Sequence, residues 1–180
     1  MIDSLLPHVD NWFLPKKDYF QAFATADSRI EGWLKGEMFV LLNTLSKQGV
    51  IASYEREFNI PTSKGPKTRR QIDFRIHLQG QAHLCELKAL CISQMAGTPR
   101  NLDFYFRDDE VGIVKDLKKL DDLPSREKKW VLGFVYPSPD PNEWSKTITS
   151  LSGVLDHWRC LTNPNQYQPH LFISLWRQGS

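Results

Sequence analysis

The sequence has few cysteines, no long apolar run and no strong excess of one charge. Its three cysteines, Cys85, Cys91 and Cys160, are an odd number at unrelated spacings, which excludes a disulfide framework and a CxxC metal pair. No apolar run approaches the roughly 20 residues of a membrane span. The residues from Met1 to Asp10 lack the basic and apolar regions of a signal peptide. We therefore expect a cytoplasmic protein with reduced thiols and no membrane partner.

Several catalytic signatures are absent as well. The chain contains no GxSxG, no P-loop and no GxGxxG, so acyl transfer, nucleotide hydrolysis and dinucleotide binding have no support. The net charge of +2 is too small to indicate a nucleic-acid partner by itself. The ten Phe and six Trp do indicate a folded protein, because such residues supply the burial that offsets the cost of ordering.

The length of 180 residues suits one domain, and the chain shows no internal repeat or linker. We divide this predicted domain 1–180 into a helical lead-in at 1–27, a core at 28–137 and a C-terminal helix and strand at 138–180. Apolar periodicity predicts the elements. The predicted helices are Lys16–Ala26, Ser28–Gln48, Asp109–Leu120 and Asn142–Cys160, and the predicted strands are Ser53–Ile60, Arg69–Leu78, Ala82–Leu90, Lys129–Tyr136 and His170–Trp176. Helices between the later strands favour an α/β fold with a mixed central sheet.

The stretch from residue 71 to residue 90 carries the most chemical information. Glu86 and Lys88 are two positions apart on a predicted strand, so their side chains share one face. Asp73 lies on the preceding strand, whose clean alternation puts Ile72 and Phe74 on one side and Asp73 on the other. Gln79-Gly80 predicts a tight hairpin turn between the two strands. We therefore expect Asp73 to lie beside Glu86.

Two adjacent carboxylates repel each other, so the pKa of one of them should rise. A hard divalent cation removes this repulsion, because Mg²⁺ is held by one or two carboxylates together with phosphate oxygens and waters. A neighbouring lysine can orient water or stabilise charge on phosphorus. The alternative is an unrelated α/β protein in which Glu86 and Lys88 face solvent, since E-x-K triplets are frequent on strands.

The pair Ile72-Asp73, followed after a short turn by Glu86-Leu87-Lys88, resembles the PD-(D/E)XK motif of restriction endonucleases and many repair nucleases. Ile72 stands where that family often has proline. The resemblance implies a restriction endonuclease-like three-layer α/β/α core of order α-β-β-β-α-β, here followed by α-β. It also implies a Mg²⁺-dependent nuclease that accepts Mn²⁺. In that family's scheme Asp73, Glu86 and the backbone carbonyl of Leu87 would hold the metal, and Lys88 would position the attacking water.

The superfamily often adds a glutamate from the helix before the first core strand. The predicted apolar stripe of Ser28–Gln48 consists of Ile30, Trp33, Leu34, Val40, Leu41 and Leu45. Glu37 falls within this stripe, where a charge needs a reason, whereas Glu31 lies at its edge. We therefore assign Glu37 the role of binding a second metal or an outer-shell water.

Basic residues flank the proposed metal site. They are Lys64, Lys67, Arg69, Arg70 and Arg75. They predict contacts to the phosphate backbone of DNA, with RNA not excluded, although a solvated loop would have the same composition. The resemblance also allows a homodimer. The alternative function is a non-catalytic nucleic-acid-binding or assembly module that retains the fold, against which the intact set of Asp73, Glu86 and Lys88 speaks.

Overall fold

A computed structural model describes residues 2–62, 65–92, 102–107, 112–150, 157–160 and 172–177. The helices are α1 (Leu6–Phe13), α2 (Lys17–Thr25), α3 (Glu31–Lys47), α4 (Leu102–Tyr105), α5 (Ile113–Asp121) and α6 (Pro141–Ser150). The strands are β1 (Ser53–Thr62), β2 (Gly65–Leu78), β3 (Gln81–Cys91), β4 (Lys128–Tyr136), β5 (His157–Cys160) and β6 (Phe172–Arg177). None of these helices is both long and apolar enough to cross a membrane.

The described strands form one six-stranded sheet in the order β1-β2-β3-β4-β6-β5. Only β3 and β4 pair in parallel, and the other neighbours are antiparallel. Parallel neighbours need a crossover connection, and the chain between β3 and β4 contains α4 and α5. The expected α/β class with a mixed sheet is therefore confirmed.

Two groups of buried side chains cover the two faces of the sheet. One group joins α1, α2 and α3 to the sheet, and the other joins α4, α5 and α6 to the opposite face. The N-terminal helices belong to the first group: Phe13 and Phe20 are fully buried, and the Phe13 ring packs edge-on against Phe134 at a centroid distance of 4.9 Å. The segment predicted as a lead-in therefore contributes to the core, because its aromatic side chains bury large apolar areas.

The turn between β2 and β3 confirms the predicted hairpin. Leu78 pairs with Gln81, and the two residues between them, Gln79 and Gly80, have φ values of 51° and 75°. Two positive φ values in a two-residue loop are typical of the type I′ turn, whose twist matches that of the flanking strands. The turn fixes the register that brings the proposed site residues together.

The C-terminal half departs from the predicted pattern. The helix predicted over Asn142–Cys160 is wrong at its end, because the described helix covers Pro141–Ser150 and His157–Cys160 form a strand beside β6. Pairing with β6 satisfies backbone groups that a longer helix would have satisfied internally. Helix α5 begins at Ile113, because Gly112 has a φ of 143° that is not helical. Residues 109–111, 151–156 and 170–171 of the predicted elements lie outside the described residues.

Candidate metal and active site

The site lies where β2 and β3 separate. Their backbone pairing runs from the hairpin turn to Phe74 and Cys85 and ends there. Asp73 is the next residue of β2, and its Oδ2 accepts a 2.9 Å hydrogen bond from the backbone N–H of Leu87. Beyond the last backbone pair, the Asp73 side chain thus serves as the hydrogen-bond acceptor for β3 in place of a backbone carbonyl. This bond holds the Asp73 carboxylate beside β3.

The predicted alternation of β2 side chains between the two faces of the sheet is wrong beside Asp73. Ile72 belongs to the buried group on the α5 face, whereas Phe74 belongs to the group on the α3 face, although alternation would put both on one side. Glu57 of β1, which lies between the partners of Ile72 and Phe74, has a φ of 52°. A positive φ is uncommon for a residue with a side chain. Both strands are therefore irregular beside Asp73.

Asp73 and Glu86 form a close carboxyl pair, and the side chain of each is only 14% exposed. Burial, repulsion from Asp73 and a hydrogen bond to Asp73 raise the pKa of Glu86 to about 7, against the opposing effect of Arg70. Glu86 therefore retains a proton up to near-neutral pH and can donate it in a hydrogen bond to Asp73. The expected proximity and the expected rise in one pKa are both present.

Cationic side chains flank this pair on both sides. Arg70 Nη2 lies 3.0 Å from Glu86 Oε1, and Lys35 Nζ lies 2.9 Å from Asp73 Oδ1 and 3.0 Å from Glu31 Oε1. Burial by itself would lower the pKa of Lys35, but its hydrogen bonds and attraction to Asp73 and Glu31 raise it. We call Glu31, Lys35, Arg70, Asp73 and Glu86 the carboxylate cluster.

The structure does not bring Glu37 to the carboxylate cluster. Glu37 Oε2 accepts a 2.8 Å hydrogen bond from Trp12 Nε1 and lies 3.3 Å from Lys16 Nζ. Val40, placed in the predicted stripe, is 46% exposed. The buried stripe of α3 consists of Leu34, Met38, Leu41, Leu42 and Leu45. At about 100° per residue, Glu37 lies beyond the Leu41 edge of that stripe, and Glu31 lies about 120° away, at an angle between those of Met38 and Leu42.

Lys88 lies on the face of Glu86, as strand alternation predicts, but its ammonium group pairs elsewhere. Lys88 Nζ lies 3.0 Å from Asp116 Oδ2 on α5, and Lys119 Nζ lies 3.2 Å from Asp116 Oδ1. Lys88 also lines a cavity of about 440 Å³. It therefore links the strand that carries Glu86 to this cavity, and Asp116 holds it in place.

The predicted DNA-contacting residues separate into different environments. Arg70 pairs with Glu86, and Arg75 pairs with Glu127 at 2.6 Å and with Glu55 at 3.1 Å. These two arginines thus have internal partners. Arg69 is exposed. Lys67 is described only as part of β2, and Lys64 lies outside the described residues.

The donor atoms of the Asp73 and Glu86 pair suit a hard cation. Carboxylate oxygens are the ligands that Mg²⁺ prefers, and a pair that retains a proton has a position at which a cation can replace that proton. Within the described part of the chain, no three His, Cys, Asp or Glu side chains converge on one metal position. The side chains would thus supply two ligands, and the remainder would come from a backbone carbonyl, water or substrate.

The comparisons with known proteins give no relative. No protein-family model matches the sequence, and no curated protein or solved structure is significantly similar to the chain. The function must therefore be argued from the carboxylate cluster, Lys88 and the cavity.

Proposed function

We propose that the protein is a metal-dependent nuclease of the PD-(D/E)XK type that hydrolyses phosphodiester bonds, with DNA as the expected substrate. The observation that carries this proposal is the close pair of Asp73 and Glu86 at the separation of β2 and β3. The order of elements from α3 to β4 supports it, because three strands follow α3 and two described helices, α4 and α5, then lead to β4.

Asp73 and Glu86 would hold Mg²⁺ or Mn²⁺, and the resemblance adds the backbone carbonyl of Leu87. A bound divalent cation supplies a Lewis acid for a phosphoryl oxygen and lowers the pKa of a bound water. The Leu87 N–H orients one Asp73 oxygen, and Arg70 orients one Glu86 oxygen. Such contacts to metal ligands fix their geometry.

Lys88 is the residue proposed to position the attacking water or to stabilise charge on phosphorus. Its position two residues after Glu86 puts both side chains on one face of β3. Asp116 acts as a positioning residue, because it holds the Lys88 ammonium from the α5 side. Glu37 has no place in this scheme, since Trp12 and Lys16 engage its carboxylate.

One observation favours the second candidate, a non-catalytic nucleic-acid-binding or assembly module. Lys35 and Arg70 place one cation beside each carboxylate of the pair. Such an arrangement compensates the two charges without a metal, as in a buried ion-pair network whose role is structural. In this candidate function the cluster stabilises the separated strands, and nucleic acid or a protein partner binds another surface.

Metal titration and a nuclease assay separate the two candidates. We expect Mg²⁺ to bind the wild type with release of about one proton near pH 6, where Glu86 is largely protonated, because the cation displaces that proton. Asp73→Ala and Glu86→Gln should lose both this binding and hydrolysis of single-stranded, duplex and plasmid DNA. The exposed Asp122→Asn variant serves as the control. Equal metal binding in all four proteins, or no hydrolysis with either Mg²⁺ or Mn²⁺, contradicts the nuclease.

A further inference from the structure

The 440 Å³ cavity lies at the carboxyl ends of the parallel strands β3 and β4. Cys91 and Tyr136 are the last paired residues of these strands, and both line the cavity. Residues at the start of α3 contribute from one face of the sheet, and Phe104 and Tyr105 of α4 contribute from the other. Crevices at the carboxyl ends of strands are the usual ligand sites of open α/β sheets.

The cavity combines cations, a carboxylate and aromatic rings. Arg29 and Lys88 supply positive charge, and Glu31 supplies an acceptor for N–H or O–H groups. The hydroxyl of Tyr105 donates to the Cys91 carbonyl at 2.8 Å, and that of Tyr136 donates to the Ser28 carbonyl at 2.9 Å. Because both hydroxyls are engaged by the backbone, the rings are held in fixed positions in the cavity wall.

We propose that this cavity binds a single unstacked nucleotide of the substrate, an inference that rests on the proposed nuclease function. The volume falls within the range of sites for small molecules. Pockets for one extruded base combine stacking on aromatic or apolar side chains with hydrogen bonds to the edge of the base. Here the half-buried Phe104 provides the ring for stacking, and the buried Tyr105 and Tyr136 complete the wall. Glu31 accepts from the base or sugar, and Arg29 pairs with phosphate.

Lys88 and Glu31 connect the cavity to the carboxylate cluster. Lys88 is two residues from Glu86, a separation of about 7 Å along a strand. Glu31 contacts Lys35, which in turn contacts Asp73. A DNA strand with one nucleotide in the cavity would therefore pass beside Asp73 and Glu86.

The cavity accordingly sets the class of substrate. A base inside a duplex must unstack and unpair before it can enter such a pocket, which costs a few kcal/mol. Single strands, frayed ends and mismatched positions avoid most of that cost. The enzyme should therefore cleave single-stranded DNA, or the ends of a duplex, in preference to an intact duplex interior.

Mononucleotide binding without metal tests the cavity by itself. Calorimetric titration in EDTA with the four deoxynucleoside 5′-monophosphates should show binding to the wild type. Arg29→Ala should weaken it about five- to tenfold through loss of a charge-assisted contact, and Ala89→Phe should abolish it by filling the cavity. Lys47→Ala removes an exposed charge at the other end of α3 and should match the wild type. Circular dichroism confirms folding. Absent binding in the wild type, or equal binding in the Arg29→Ala variant, overturns the proposal.

Cleavage of matched single-stranded and duplex oligonucleotides distinguishes the two proposals. Arg29→Ala should reduce the preference for single strands about fivefold or more while hydrolysis remains measurable. If mononucleotides bind the cavity but neither substrate is cleaved, the nuclease fails and the nucleotide site stands. If both substrates are cleaved, but no mononucleotide binds and Arg29→Ala leaves the preference unchanged, the nuclease stands and the nucleotide site fails.

Discussion

The backbone N–H of Leu87 donates a 2.9 Å hydrogen bond to Asp73 Oδ2 immediately beyond the last backbone pair of β2 and β3. The bond ties a side chain of one strand to the residue that follows Glu86 on the other. It therefore holds the two carboxyl groups together although the strands separate. The repulsion between them is relieved by the proton that Glu86 retains, by Lys35 and by Arg70.

The raised pKa of Glu86 predicts a pH-dependent stability. Its value of about 7 in the folded protein exceeds the ordinary 4.5, so the folded state binds more protons between these two pH values. This contribution is fully present below pH 4.5 and is lost as the pH rises towards 7, with an upper bound of about 3 kcal/mol. Glu86→Gln should therefore gain stability relative to the wild type as pH rises from 5 to 8, by urea unfolding in EDTA. A difference independent of pH would contradict this pKa.

Lys35 competes with a divalent cation for Asp73, because its ammonium group lies 2.9 Å from Asp73 Oδ1. We expect Lys35→Met to bind Mg²⁺ about fivefold more tightly, since the Asp73 oxygen no longer has a cationic partner. The same variant should be less stable without metal. Lys47→Met, at the exposed end of the same helix, is the matched control. Unchanged or weaker metal binding in the Lys35→Met protein would show that the metal does not use this oxygen.

Lys88 and Lys119 provide a matched pair of variants, because both contact Asp116 and only Lys88 lines the cavity. Lys88→Ala should lower kcat about a hundredfold, the usual effect of losing a positioned proton-transfer or charge-stabilising group, with little change in DNA affinity. Lys119→Ala should stay within about twofold of the wild type, since Lys119 contacts only Oδ1 of Asp116 and the contact between Asp116 Oδ2 and Lys88 is left in place. Similar losses in both variants would indicate that Asp116, rather than Lys88, determines activity.

The predicted contacts of the basic residues with DNA phosphates can be tested by the salt dependence of DNA binding. Replacement of Lys64, Lys67 and Arg69 by Ala should weaken DNA binding nearly uniformly across sequences. It should also lower the slope of log affinity against log salt by about 0.9 for each phosphate that the variant no longer neutralises. Arg70 is left intact, because its partner is Glu86. Binding titrations at several salt concentrations between about 50 and 200 mM, a range suited to such slopes, measure the effect. An unchanged slope would place the bound DNA on another surface.

Much of the site could be predicted from local chain geometry. Gln79-Gly80 fixes the hairpin, strand alternation puts Glu86 and Lys88 on one face, and two neighbouring carboxylates raise a pKa. Each of these follows from backbone conformation over a short stretch of chain. The predicted pattern of β2 failed between Ile72 and Phe74, which are both buried but on opposite faces of the sheet. A regular sequence period cannot predict where the strand departs from that period.

The sequence by itself determined the α/β class, the hairpin and the pairing of Asp73 with Glu86. Tertiary structure decided which distant residues join them. A buried stripe that includes Val40 predicts that Glu37 faces the core. In the structure α3 packs against both α1 and β3, and Glu37 contacts Trp12 of α1. This packing orients α3 so that Lys35, rather than Glu37, contacts Asp73. A helical period gives the angles between side chains, whereas the packing of neighbouring elements determines which angle faces the site.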